Sequence, residues 1–255
     1  MKFFDEPKVY LISKPQLHWS GIQKFMEQEN LSWKHNDIDH SDGDLLPEFA
    51  GRICYVSFGQ KQGRKRNDEY IKNILSMGHG SVLEHSNYTF LVTNASRGFT
   101  HEMVRHRAGF AYSQESTHYI NYLLDDAKVL IPHHKDLDGC DDDIYRDSYT
   151  TSIDAYNKAY DGLRDSGVSK KDACSLSRPL LPIGIESKLV FTANIRSLRH
   201  FMQTRGNAHN VDEIRLVAVK VLKVMQKEAP NCFHDMKIII DADDKEVIQS
   251  TYKKV

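Results

Sequence analysis

Two stretches of this chain switch from a strand period to a helical period within a few residues, and that switch limits what it can fold into. Residues 86–93 alternate Tyr88, Phe90 and Val92 with Thr89, Leu91 and Thr93, the pattern of a strand rich in aromatic and β-branched side chains. A helix is expected to follow at about 97–107. Residues 188–193 read as a second strand, after which Asn194 is placed to cap a helix over 195–204 whose inward face is Leu198, Phe201 and Met202.

The remaining segments repeat this mixture without a regular strand–helix–strand rhythm. A strand is expected at 8–13, a helix at 20–28, and a helix at 67–77 that buries Tyr70, Ile71, Ile74 and Leu75 before Gly78 stops it. Residues 119–124 and 128–131 read as extended, closed by Pro132, His133 and His134. From 143 to 165 the residues Tyr145, Tyr149, Ile153, Tyr156, Tyr160 and Leu163 mark one buried face of a long helix that ends at Gly167. Ser169, with Asp172 three residues on, caps a short helix reaching Pro179. A helix at 211–227 carries Ile214, Val217, Val221, Leu222 and Met225 on one stripe, with Asp212 and Glu213 in its first turn as the helix dipole prefers. This interleaving favours α+β over a doubly wound sheet.

The 34 Lys+Arg against 35 Asp+Glu leave a formal charge of -1, which excludes the diffuse basic surface of a non-specific nucleic-acid binder. Any anion must therefore meet locally concentrated arginines. No run of 18 apolar residues occurs, so a cytoplasmic protein that does not enter the membrane is expected. The cysteines Cys54, Cys140, Cys174 and Cys232 have no CxxC spacing and read as reduced thiols. No GxGxxG, Walker loop, GxSxG elbow or HExxH is present, and Arg105 and Arg107 flanking His106 would repel a cation, so no metal is expected.

Three donor-rich clusters remain. Arg105-His106-Arg107 falls at the expected end of a helix, where a solvated terminus favoured by the dipole is the bland alternative. Arg196, His200 and Gln203 share a helix face opposite the apolar residues, with water as the default partner. The segment 78–85 places Ser81, Glu84, His79 and His85 in one short glycine-containing connection.

In order and content these clusters resemble the flavin-dependent thymidylate synthases, whose hallmark is Arg-His-Arg followed by a serine, here Arg105-His106-Arg107 and Ser116. The match extends to His79-Gly80 with Glu84-His85, to Arg178 with Leu181-Pro182, to Asn194, Arg196, Ser197 and Leu198, and to Arg205 and Glu213-Ile214-Arg215. The resemblance implies a single α+β domain over 1–255, a twisted, mainly antiparallel sheet flanked by helices, with a core at about 47–230 and a tail at 236–255. It also implies a homotetramer binding FAD and a uracil nucleotide, with NADPH as reductant and methylenetetrahydrofolate as one-carbon donor, converting dUMP to dTMP. Carried over position by position, Ser81, Arg105, His106, Arg107, Gln114, Asn194, Arg196 and His200 would meet FAD, with Glu84 in support. Glu102, Arg105, Gln114, Glu115, Ser116, Thr117, His118, Arg178 and Arg205 would meet the nucleotide. Arg205 would be the cation beside the ionising uracil, and Ser116 a positioning donor, not a nucleophile.

Three departures bear on the nucleotide side. Eight residues separate Arg107 from Ser116, one more than the family pattern, so a bulge or register shift is expected there. Glu102 replaces a usual Gln, and His118 a usual Arg; the two could pair with each other. They leave open a C5-methylase of another uracil nucleotide such as UMP, and a flavin or nucleotide binder without turnover.

Overall fold

The computed structural model describes residues 1–34, 41–132 and 141–253. His133, His134 and Cys140 lie outside the described residues. The chain runs through β1 (Lys2–Phe4), β2 (Lys8–Ser13), α1 (Trp19–Gln28), α2 (Asp42–Tyr55), α3 (Asn67–Ser76), β3 (Asn87–Thr93), α4 (Arg97–Met103) and β4 (Phe110–Gln114). It continues through β5 (Lys128–Leu130), α5 (Asp142–Asp165), α6 (Lys170–Ser177), β6 (Leu189–Asn194), α7 (Ile195–Arg205), α8 (Asp212–Glu228), β7 (Met236–Ile240) and β8 (Glu246–Ser250). The strands pair as β1–β5, as a four-stranded sheet in the order β2-β3-β6-β4, and as β7–β8. This is the mixed helix-and-strand class that the irregular interleaving implied. Among the described residues no helix is long and apolar enough to cross a membrane.

Two compact units divide the chain. The first comprises Met1–Val9, Leu91–Arg105 and Tyr112–Val190. In it β1 and β5 run parallel, Lys2 opposite Lys128 and Phe4 opposite Leu130, beside a core of Tyr122, Val129, Ile153, Tyr156 and Ile185. The stripe of α5 is buried only at its middle, at Ile153 and Tyr156, whereas Tyr145, Tyr149, Tyr160 and Leu163 stay half-exposed. A helix of this length spans about 36 Å and overruns the core at both ends. Residues 119–124, expected to be extended, are turns and irregular backbone: the Tyr119 and Ile120 N–H groups both donate to the Ser116 carbonyl. The Asn157 side chain accepts from the Leu124 N–H at 3.0 Å and donates to the Tyr122 carbonyl at 2.7 Å, so a side chain takes the place of a strand neighbour.

The second unit comprises Tyr10–Phe90, His106–Ala111 and Phe191–Val255. Here α3, α7 and α8 bury the stripes expected of them, and Ile214, Val217, Val221, Leu222 and Met225 are all fully buried. Helix α2 has no counterpart in the sequence reading, because Gly43, Pro47 and Gly51 are poor helix formers. Ser41 caps it by accepting from the Asp44 N–H at 3.2 Å. Tertiary packing requires glycine at 43: a Cβ there would overlap the Tyr88 hydroxyl. Residues 236–250, read from sequence as part of a tail, form an antiparallel hairpin with Met236 opposite Ser250 and Ile240 opposite Glu246.

That hairpin explains a fully buried arginine on α7. Arg199 donates through Nη1 and Nη2 to the two carboxylate oxygens of Asp235, at 2.7 and 3.0 Å, and further to the Cys232 and Tyr252 carbonyls. Burial pushes the Asp235 carboxyl up, but the Arg199 bond and charge outweigh it and hold the group below its ordinary range. The pair therefore stabilises the fold at pH values above the unfolded carboxyl's titration and ceases to do so as pH falls through the lowered folded value. Replacing Asp235 with Ala leaves a buried guanidinium uncompensated, and urea unfolding should record a loss of about 3–5 kcal/mol. A loss below about 1 kcal/mol, the range of exposed pairs, would contradict this assignment.

Candidate active site

Helix α4 opens with Ser96 Oγ accepting from the Phe99 N–H at 3.0 Å and ends at Met103, short of the expected 107. Past it the chain turns at Gly109, whose φ of 72° suits glycine, and the Phe110 N–H closes on the Arg107 carbonyl to start β4. The Arg-His-Arg run therefore lies just past the helix, in its connection to β4. The eight-residue spacer to Ser116 consists of this turn, β4 and Glu115. The side chains of Arg105 and Arg107 are exposed and have no hydrogen-bond or ion-pair partner among the described residues.

In the first unit several nucleotide-side candidates share one network. Gln114 Nε2 donates to Thr100 Oγ1 at 2.8 Å and to Ser187 Oγ at 2.9 Å, and Arg97 Nη1 donates to the same Ser187 oxygen at 3.3 Å. The Glu115 carboxylate accepts from the Tyr122 hydroxyl at 3.2 Å and Lys188 Nζ at 2.9 Å. Ser116 Oγ accepts from the His118 N–H at 3.3 Å, which makes it a turn-closing group with no general base bonded to it among the described residues. A cavity of about 370 Å³ is lined by Arg97, His101, Thr117 and Arg178 and walled by Pro179, Leu181, Pro182 and Ile183. Both ring nitrogens of His118 are engaged, one with Ser175 and one with Arg178, so the suggested pairing with Glu102 is not made. Arg97 and His101 were missed by motif reading. Their signal is a cation in the first turn of a helix, where the dipole disfavours it, and a second donor one turn on.

In the second unit the flavin-side candidates meet around α7. The 3₁₀ turn Gly80–His85 carries Ser81 and Glu84, and Glu84 Oε1 pairs with Arg196 Nη1 at 2.5 Å. Asn194 caps α7 by accepting from the Ser197 N–H at 2.9 Å, while Ser197 Oγ donates to the Ala108 carbonyl at 2.7 Å and ties the 106–111 turn to the helix. Gln203 does not join this group: its amide donates to Ser250 Oγ and the Tyr252 carbonyl. His106 packs edge-on against Phe201 at 5.2 Å, and its ring lies 6.4 Å from His200. Arg205, the nucleotide-side member that belongs to this unit, donates from Nε to His106 Nε2 at 3.0 Å and from Nη1 to Asn210 at 3.3 Å. A guanidinium only donates, so His106 Nε2 must accept and the ring is neutral. Burial, then the charges of Arg205 and His200, push its pKa down to about 4.

Ser81, Arg107 and His200 are exposed donors of this unit, and Arg196 is paired with Glu84. That chemistry fits the pyrophosphate of a flavin dinucleotide. These residues could hold such a cofactor, while the cavity of the first unit, with two guanidinium groups and an apolar wall, suits an anionic ligand carrying a flat ring.

Comparison with known proteins defines the class of this mixed helix-and-sheet protein. Residues 38–231 match the family model for thymidylate synthase complementing protein. The flavin-dependent thymidylate synthase of Mycolicibacterium gilvum is 35% identical over 255 residues, covering 95% of each chain. That of Corynebacterium diphtheriae is 33% identical over 240 residues, covering 89% of this chain and 92% of the relative. Among solved structures, the UMP/dUMP methylase PolB from Streptomyces cacaoi bound with 5-Br dUMP superposes with a TM-score of 0.66 at 21% identity, covering 92% of this chain and 96% of that one. The chain is a methyltransferase and belongs to the thymidylate synthase complementing protein family.

The neutral state of His106 can be tested directly. In the window from about 6.5, the ordinary imidazole value, down to about 4, the unfolded ring binds a proton that the folded ring does not. Stability should therefore fall as pH drops through that window and level off below it. Imidazole NMR shifts should leave His106 uncharged at pH 5.5, and a midpoint above 6 would refute the bonded geometry.

Proposed function

We propose that this chain is an FAD-dependent thymidylate synthase that methylates uracil C5 of dUMP, drawing the carbon from methylenetetrahydrofolate and the reducing equivalents from NADPH. The observation that carries the reading is the cavity in which Arg97 and Arg178 sit with Thr117 against an apolar wall, because a nucleotide needs cations for phosphate and an apolar surface for its base. The names of the curated relatives support a flavin, and FAD, when bound, supplies the redox chemistry that no side chain here can provide. Ser81, Arg107, Asn194, Arg196 and His200, with Arg105, His106 and Gln114, would hold it. The assembly proposed is a homotetramer.

On this reading the residues position and polarise. Arg205 is assigned the charge that develops on the ionised uracil; its acceptor His106 is uncharged, so the guanidinium is oriented without being neutralised as a carboxylate would neutralise it. Ser116 presents its hydroxyl, Gln114, whose two amide protons go to Thr100 and Ser187, presents its carbonyl oxygen as an acceptor, and Glu115 is held by Tyr122 and Lys188. Because His118 is drawn into a bond with Arg178, the nucleotide side differs from the family pattern, which keeps UMP as an alternative substrate.

Purified protein supplied with FAD, NADPH, methylenetetrahydrofolate and either dUMP or UMP should yield a 5-methyl nucleotide detectable by mass spectrometry. The better substrate is identified in the same assay, and absence of product from both would sink the reading. Arg205→Ala should lower methyl transfer about a hundred- to thousandfold while leaving FAD content near normal. Near-normal turnover would remove Arg205 from the reaction.

A further inference from the structure

The bonds around His118 have only one possible direction. Arg178 Nη1 lies 2.5 Å from His118 Nε2, and since a guanidinium has no acceptor, Nε2 accepts. The neutral ring then carries its proton on Nδ1, which donates to Ser175 Oγ at 2.7 Å. The Ser175 hydroxyl in turn donates to the Lys171 carbonyl, one turn back on α6, at 2.8 Å. Three bonds thus run from the α6 backbone through Ser175 and His118 to Arg178, and every proton in them is assigned.

Arg178 follows α6 in a 3₁₀ turn with Pro179, and its side chain is exposed. His118 is its only side-chain partner among the described residues. Without that brace a long guanidinium side chain samples many rotamers, and ordering it would weigh against each binding event. With Nη1 committed, the remaining N–H groups of Arg178 stay available to the cavity that it lines with Arg97 and Thr117. A cation at position 118 could not accept from Arg178 and would repel it.

We propose that His118 is a positioning residue that pre-orders Arg178 for the phosphate of the nucleotide, acting through an acceptor where the family pattern has a second cation. This rests on the reading of that cavity as a nucleotide site. It is tested by calorimetric titration of dUMP and UMP into the FAD-loaded protein and its variants. His118→Ala should weaken binding of the preferred nucleotide about ten- to a hundredfold, the effect of losing a bond to a charged group. His118→Gln, whose amide oxygen still accepts, should recover most of that loss. The double variant His118→Ala with Arg178→Ala should bind no more weakly than Arg178→Ala alone, because the brace acts only through Arg178. Circular dichroism on each variant separates lost affinity from lost fold, and a misfolded His118→Ala leaves His118→Gln and His118→Arg as the deciding pair: Gln binding tightly and Arg weakly supports the brace. Fully additive losses, or Arg at 118 binding as well as His, would overturn it. A wild-type protein that binds neither nucleotide would instead show that the nucleotide reading itself has failed.

Discussion

The buried pair of Arg199 and Asp235 is the constraint on which the second unit depends. Helix α7 carries Asn194 at its cap, and Arg196, His200 and Arg205 along its exposed and half-buried face, while the opposite face places Leu198, Phe201 and Met202 in the core. Apolar packing alone would permit some sliding of such a helix, since shape complementarity is forgiving. A two-pronged bond to one carboxylate, itself held by the Ser250 hydroxyl and the Tyr252 N–H, is not. It sets the rotation of α7, and the directions of the site residues follow from that rotation.

Much of the fold was legible because its signals are local. The caps at Ser169 and Asn194 and the stripe of α8 each rest on residues a few positions apart, and each element lies within a residue or two of its expected bounds. What was missed depends on distant partners. Gly43 reads as a helix breaker until Tyr88, on another element, fills the space beside it. Residues 119–124 read as a strand because their side chains suit one, but Asn157 satisfies their backbone. The hairpin β7–β8 is short and half-exposed, so its alternation is weak.

The site divides in the same way. Arg105, His106 and Arg107 were conspicuous as residue types, yet their setting was not, because α4 ends at Met103 and the run lies in a connection to β4 that a helical pattern does not announce. Arg97 and His101 were hidden in a helix that looked merely structural, and only the cavity they share with Thr117 and Arg178 distinguishes them. The bond from Arg205 to His106 joins residues 99 positions apart and had no trace in the linear pattern. Chemistry-bearing types can be found in a sequence, but which of them restrain one another is a property of the folded chain.

The clamp on α7 also has a consequence in time. Arg199 lies 36 residues ahead of Asp235 and 53 ahead of Tyr252, so the helix leaves the ribosome before the groups that satisfy its buried guanidinium. At about 5–20 residues per second that interval is roughly 2–7 s for Asp235 alone. During it α7 has its apolar face but no partner for its charge. The nascent second unit can collapse around that face but cannot fix its register, so the helix that bears half the site should be completed only after synthesis has passed it.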